Sequence, residues 1–205
     1  MSPSTARATG FAISVPDGWL EVDLHPDSRN ASINDLVTRQ VKEVPELREH
    51  RAALVRALRS AARSAHAAGA AYTASMIQPI EDAVIAANVT ISIVEAPNEE
   101  NASETIVAHL AEIPRGAGED PVWREVTSTE LPGIGRVPRT QGVEDITMPE
   151  GSGWIRSVIM QTFVPVPGSA GKVALVTCSS PILALSTELI DLFDAVTSTF
   201  RFLEN

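Results

Sequence analysis

The sequence predicts an α+β fold, an antiparallel β-sheet flanked by helices, and three observations carry that expectation. Residues 154–164 and 173–180 are strand-like apolar runs joined by Pro165-Val166-Pro167-Gly168-Ser169-Ala170-Gly171, a connection rich in chain-reversing residues, so the two runs form a hairpin. Val158 and Met160 fall on one face of the first run and Ile155, Ile159 and Phe163 on the other. Both faces are apolar, which places the hairpin at the centre of the sheet. Leu185, Leu189, Leu192, Phe193 and Val196 then recur at helical spacing, so a closing helix lays that face on the hairpin.

Taken in order, the chain opens with Phe11, Ile13 and Val15 alternating inward, a Pro16-Asp17-Gly18 turn, and a second short strand from Trp19 to Leu24, which together read as a hairpin. Ile33, Leu36, Val37, Val41 and Val44 begin a helical face that resumes after Pro45 with Leu47, Leu54, Leu58, Ala61 and Ala65. A proline inside a helix costs about 3 kcal/mol, but none of that at the first turn of a new one, so two helices are expected, over 32–43 and 46–67, the second ended by Gly69. The period changes to two over 71–78 and 83–94, where Ile85, Val89, Ile91 and Ile93 mark a long strand. A short amphipathic helix is expected over 103–113, then a hairpin of 122–131 and 134–143 turned by Pro132-Gly133. Pro138 lacks the N–H that an interior ladder needs, which predicts an edge position for the latter strand.

Length and composition narrow the class. At 205 residues, 44% hydrophobic and 20% charged, the chain reads as one soluble globular domain over 1–205. No apolar run approaches the roughly 20 residues that span a bilayer, and residues 1–10 lack the apolar core of a secretory signal. Cys178 is the single cysteine, so no internal disulfide forms; a cytoplasmic setting is the expectation. With 16 basic against 26 acidic side chains the net charge is −10, a field that repels nucleic acid and anionic membrane.

The residue types that carry chemistry do not assemble into a motif. Cys178 has no histidine near it in sequence and reads as a small core residue rather than a nucleophile. His25, His50, His66 and His109 never fall at metal-ligand spacing. Gly133-Ile134-Gly135-Arg136-Val137-Pro138 begins like a dinucleotide-binding fingerprint, but proline stands at the third glycine position and no helix follows, so it reads as a turn. Glu95, Glu99, Glu100 and Glu104 lack the spacing that folds oxygens around calcium and read as a solvated loop and the acidic start of a helix. No catalytic residue, metal or cofactor is therefore expected.

Charge distribution is more informative. Residues 1–66 hold 9 basic and 8 acidic side chains, 67–150 hold 4 and 14, and 151–205 hold 3 and 4, so the middle third carries the negative excess. On the second expected helix, Arg48, Arg51, Arg56, Arg59 and Arg63 fall within a stripe of about 140° at 100° per residue. The stripe is either a solvated face that pairs with the acidic middle of the same chain or a docking surface for an acidic partner or a phosphate-bearing ligand, because guanidinium forks bind carboxylate and phosphate bidentately.

The Phe11-Ala12-Ile13-Ser14-Val15-Pro16-Asp17-Gly18-Trp19 segment, the order of elements, and a closing helix that ends in Ser198-Thr199-Phe200-Arg201-Phe202 resemble the PsbP-like group, which includes PsbP, the Ran-binding Mog protein and bacterial DcrB. The resemblance implies a sheet packed between helices, an α/β/α sandwich, and non-enzymatic roles as assembly factor or adaptor; it carries over no active site. Fourteen of the 16 basic residues are arginine, a usage expected of a GC-rich bacterial genome. The leading function is accordingly a binding or adaptor module. The alternatives are a small-ligand or lipid carrier with a pocket between the long helices and the sheet, and an enzyme with a dispersed site.

Overall fold

In the computed structural model, which describes residues 8–43, 45–80, 83–95, 122–147, 153–169 and 171–204, seven strands form one antiparallel sheet. In chain order the described elements are β1 (Ala8–Ala12), β2 (Leu20–Asp23), α1 (Arg29–Glu43), a 3-10 turn (Pro45–Arg48), α2 (Arg51–Ala67), β3 (Ala70–Ile80) and β4 (Ala83–Glu95). They continue with β5 (Trp123–Leu131), β6 (Gly135–Thr147), β7 (Trp154–Pro165), β8 (Lys172–Ser180), α3 (Ser186–Ser198) and β9 (Arg201–Glu204). The sheet order is β2-β3-β4-β8-β7-β6-β5, and β1 pairs with β9 in a separate two-stranded sheet. The predicted hairpin is β7–β8, and β8 is the middle strand of the seven. The helix expected over 103–113 lies outside the described residues.

Side-chain parity builds the layers. Val158 and Met160 of β7, Val176 and Cys178 of β8, and Val89 and Ile91 of β4 share one face and form a single core with Leu189, Phe193 and Val196 of α3. The opposite face receives Val22 of β2, which joins Ile33, Leu36 and Val37 of α1 and Val55 and Ala62 of α2 in a second cluster. Helices therefore cover both faces, α3 one and the α1–α2 pair the other. The alternate residues of β4 explain its period of two: Asn88 Nδ2 donates to Ser75 Oγ at 2.9 Å and Thr73 Oγ1 at 3.1 Å, a polar seam on the α1–α2 side of the sheet.

Three expectations about elements are corrected. The opening strands do not form a hairpin: β1 pairs with β9 and β2 with β3. Phe11 stacks on Phe200 at 5.9 Å, and Ser14 N–H donates to Thr199 Oγ1 at 2.8 Å, contacts that carry the first strand away from the second; the turn at Pro16–Trp19 does form. The strand with Pro138 is not an edge, since β6 lies between β5 and β7. Its ladder to β7 starts one residue later, at Arg139 opposite Thr162, so no bond on that side is asked of the proline. The second helix does not begin at 46: Pro45 starts a 3-10 turn, and α2 begins only at Arg51.

Candidate functional site

Leu54, Val55, Leu58, Ala62 and Ala65 of α2 pack toward α1, and the arginines occupy the rest of the helix surface. Arg56, Arg59 and Arg63, at helical offsets of three and seven, fall within about 60° of one another. Arg56 and Arg63 are exposed and make no hydrogen bond or ion pair among the described residues. Arg59 is half-buried against α1: its Nη2 donates to Asn34 Oδ1 at 3.5 Å, while its Nε is buried without a hydrogen-bond partner. Arg51 stands in the first turn, exposed, with Nη2 donating to Thr38 Oγ1 of α1 at 3.4 Å. Arg48 is exposed on the preceding 3-10 turn, off the α2 helix. The structure thus brings together three of the five predicted arginines and sets Arg48 and Arg51 apart at the N-terminal end.

Other charges are absorbed within the sheet. Arg124 of β5 forms a bidentate pair with Glu144 of β6, Nε to Oε1 at 2.6 Å and Nη2 to Oε2. Arg156 of β7 holds Asp145 of β6 the same way, at 2.7 and 2.9 Å, and its guanidinium lies 5.3 Å from the Trp154 ring centre. Arg139 of β6 is 5% exposed; its Nε donates to Thr162 Oγ1 at 3.0 Å, its Nη1 pairs with Asp194 of α3, and its Nη2 is buried without a partner. These pairings were not evident in the sequence, because each joins strands or a helix whose register only the fold supplies. Asp145 directly opposite Arg156 is the pattern that strand pairing would have exposed.

The remaining candidates resolve as core or surface. Cys178 is 1% exposed, and burial pushes its thiol up to about 12, an effect that Thr197 and Arg139 only partly offset. It is a core residue, as expected of a free cysteine with no histidine near it in sequence. His25 is exposed and accepts from Asp27 N–H at 3.4 Å; His50 and His66 are exposed, and His109 lies outside the described residues. The glycine motif at 133–135 is the β5–β6 turn, with Gly133 at φ 75°. Glu95 ends β4, exposed, and Glu99, Glu100 and Glu104 lie outside the described residues. Between α1 and the β1–β2 connection lies a cavity of about 380 Å³ lined by Trp19, Glu21, Arg39 and Gln40, the described space nearest to a pocket between helices and sheet.

An antiparallel sheet with α3 on one face and the α1–α2 pair on the other defines an α+β protein of the PsbP-like fold. Among solved structures, LpqN of Mycobacterium tuberculosis, described as involved in cell envelope biogenesis, superimposes with a TM-score of 0.50 at 10% identity, over 98% of this chain and 87% of that one. A PsbP from the cyanobacterium Synechocystis matches with a TM-score of 0.32 at 13% identity, over 66% of this chain and 87% of that one. At 10% identity the likeness to LpqN speaks for the fold alone. No protein-family model and no curated protein matches the sequence.

Proposed function

We propose that the chain is a non-enzymatic binding module that docks an acidic protein partner through Arg56, Arg59 and Arg63 of α2, with Arg48 and Arg51 extending the positive surface at its N-terminal end. One observation carries the reading: Arg56 and Arg63 are exposed on one helix face without an ion pair among the described residues, in a chain of net charge −10. Guanidiniums on one side of a helix repel each other, and an exposed internal pair returns only about 0–1 kcal/mol, so folding gains little from the arrangement. A carboxylate-bearing partner gains bidentate bonds from these guanidiniums. The module would work in the cytoplasm, where one unpaired thiol is unremarkable, and fractionation of native cells checks that placement.

Arg56→Glu with Arg63→Glu, measured by retention on immobilised poly-glutamate and by capture from native lysate, tests the reading. The expected result is an unchanged thermal melt with lost retention, and wild-type retention that declines as salt rises. A lowered melting temperature that added salt softens would instead assign the arginines to internal pairing. Unchanged retention and an unchanged set of captured proteins would refute the docking role.

A further inference from the structure

A second surface, remote in sequence from α2, also presents guanidiniums, and here they border apolar walls. The β5–β6 turn, the end of β7 and strand β9 enclose a groove of about 550 Å³, within the range of about 300–1,000 Å³ usual for small-molecule sites. Pro132, Ile134, Val166 and Phe202 give it an apolar floor that continues the main core, since Ile134, Val166 and Phe202 pack against that core from its margin. Arg136 of β6 and Arg201 of β9 line the same groove, and both are exposed. Arg136 Nε donates to Ser128 Oγ at 2.7 Å, which steadies the guanidinium and leaves its terminal nitrogens available. Glu130 stands opposite Arg136 in the β5–β6 ladder, yet neither Arg136 nor Arg201 makes an ion pair among the described residues.

From this juxtaposition we infer that the groove binds a small amphipathic carboxylate, its apolar body on Pro132, Ile134, Val166 and Phe202 and its carboxylate on Arg136 and Arg201. Apolar contact alone would accept a neutral chain equally. Two unpaired guanidiniums at the border of an apolar floor select an anion, because a hydrogen bond to a charged group outweighs one to a neutral group. The groove is a ligand site, and α2 is a protein-docking site. Neither depends on the other.

Octanoate is a suitable probe, with octanol as its neutral counterpart, both titrated calorimetrically into the full chain. The expected result is saturable one-to-one binding of octanoate, with octanol about tenfold weaker. Arg136→Gln with Arg201→Gln, both exposed positions, should leave the thermal melt unchanged and remove the preference for octanoate over octanol. Arg56→Glu with Arg63→Glu should leave octanoate binding as it is, which separates this site from the docking face. Absence of saturable binding, equal affinity of the wild-type chain for octanol, or a preference for octanoate that survives the Arg136/Arg201 change would each overturn the inference.

Discussion

Arg139 and Asp194 form an ion pair whose two halves differ sharply in exposure, and the difference predicts which half the protein can lose. The Arg139 side chain is 6% exposed and that of Asp194 is 53% exposed. Asp194→Ala would leave a buried guanidinium with only its Nε bond to Thr162, while Nη2 already has no partner. Breaking a buried pair this way costs about 3–5 kcal/mol, and the solvent access of Asp194 reduces that to about 2 kcal/mol. Arg139→Met with Thr162→Val removes the guanidinium, the unsatisfied nitrogen and the hydroxyl that accepted from it, keeps similar volume, and leaves Asp194 hydrated. Replacing both buried partners with apolar groups is near neutral, so this pair of changes should fall within about 1 kcal/mol of wild type. Adding Asp194→Ala to it should then cost nothing further. Urea unfolding at constant m-value measures all three variants and their coupling. If Arg139→Met with Thr162→Val proves more damaging than Asp194→Ala, or if the effects simply add, the argument from unequal exposure is wrong.

Further tests concern the sheet, the closing helix and the thiol. A Cβ on Gly142 would lie 2.0 Å from the Trp123 carbonyl oxygen of β5, so Gly142→Ala should destabilise by about 3 kcal/mol as β5 is displaced; an unshifted thermal melt would contradict that close approach. Leu189 is 3% exposed under α3, and Leu189→Ala should cost about 2–5 kcal/mol in urea, whereas a loss under about half a kcal/mol would sink the packing of that helix. Cys178 should resist thiol reagents at neutral pH except through unfolding; rapid labelling of the folded protein would refute its burial. Its thiol is raised from 9.0 to about 12 in the fold, so the folded state holds a proton that the unfolded state releases. Stability is therefore intact below about pH 9 and falls as pH climbs toward 12, by up to about 1.4 kcal/mol per pH unit. Tyr72, raised by burial and by its bond to Glu21, adds to the fall above pH 10, so Cys178→Ala should remove the fall between about pH 9 and 10 and lessen it from there toward pH 12.

Local periodicity was legible where it coincided with a hydrogen-bonded neighbour. Val158 and Met160 against Ile159 and Phe163 announced a doubly covered strand, and Leu189, Phe193 and Val196 announced the helix laid upon it, because each pattern is set by residues a few positions apart. What sequence reasoning missed was fixed at long range. Phe11 alternates as a strand residue should, yet nothing beside it says that its partner is Phe202. Pro138 misled because the missing donor matters only on the side where a ladder exists. The arginine stripe was legible as a spacing, but not the turn at 45–48 that removes Arg48, nor the Asn34 and Thr38 contacts of Arg59 and Arg51 on α1. The groove bordered by Arg136 and Arg201 escaped notice, since its walls come from three separate stretches of chain.

The pairing of β1 with β9 carries a consequence for how the molecule is made. Thr9 bonds to Leu203 across 194 positions, and Phe11 finds its stacking partner only when Phe200 exists. At about 5–20 residues per second, a ribosome needs roughly 10–40 s to travel from one strand to the other. Throughout that interval the first strand lacks its pairing strand and Phe11 has only the Tyr72 ring of β3 beside it, while the hairpins β3–β4, β5–β6 and β7–β8 close from neighbouring sequence. The clasp is thus a late event by necessity, closed only after the hairpins that build the seven-stranded sheet have been synthesised.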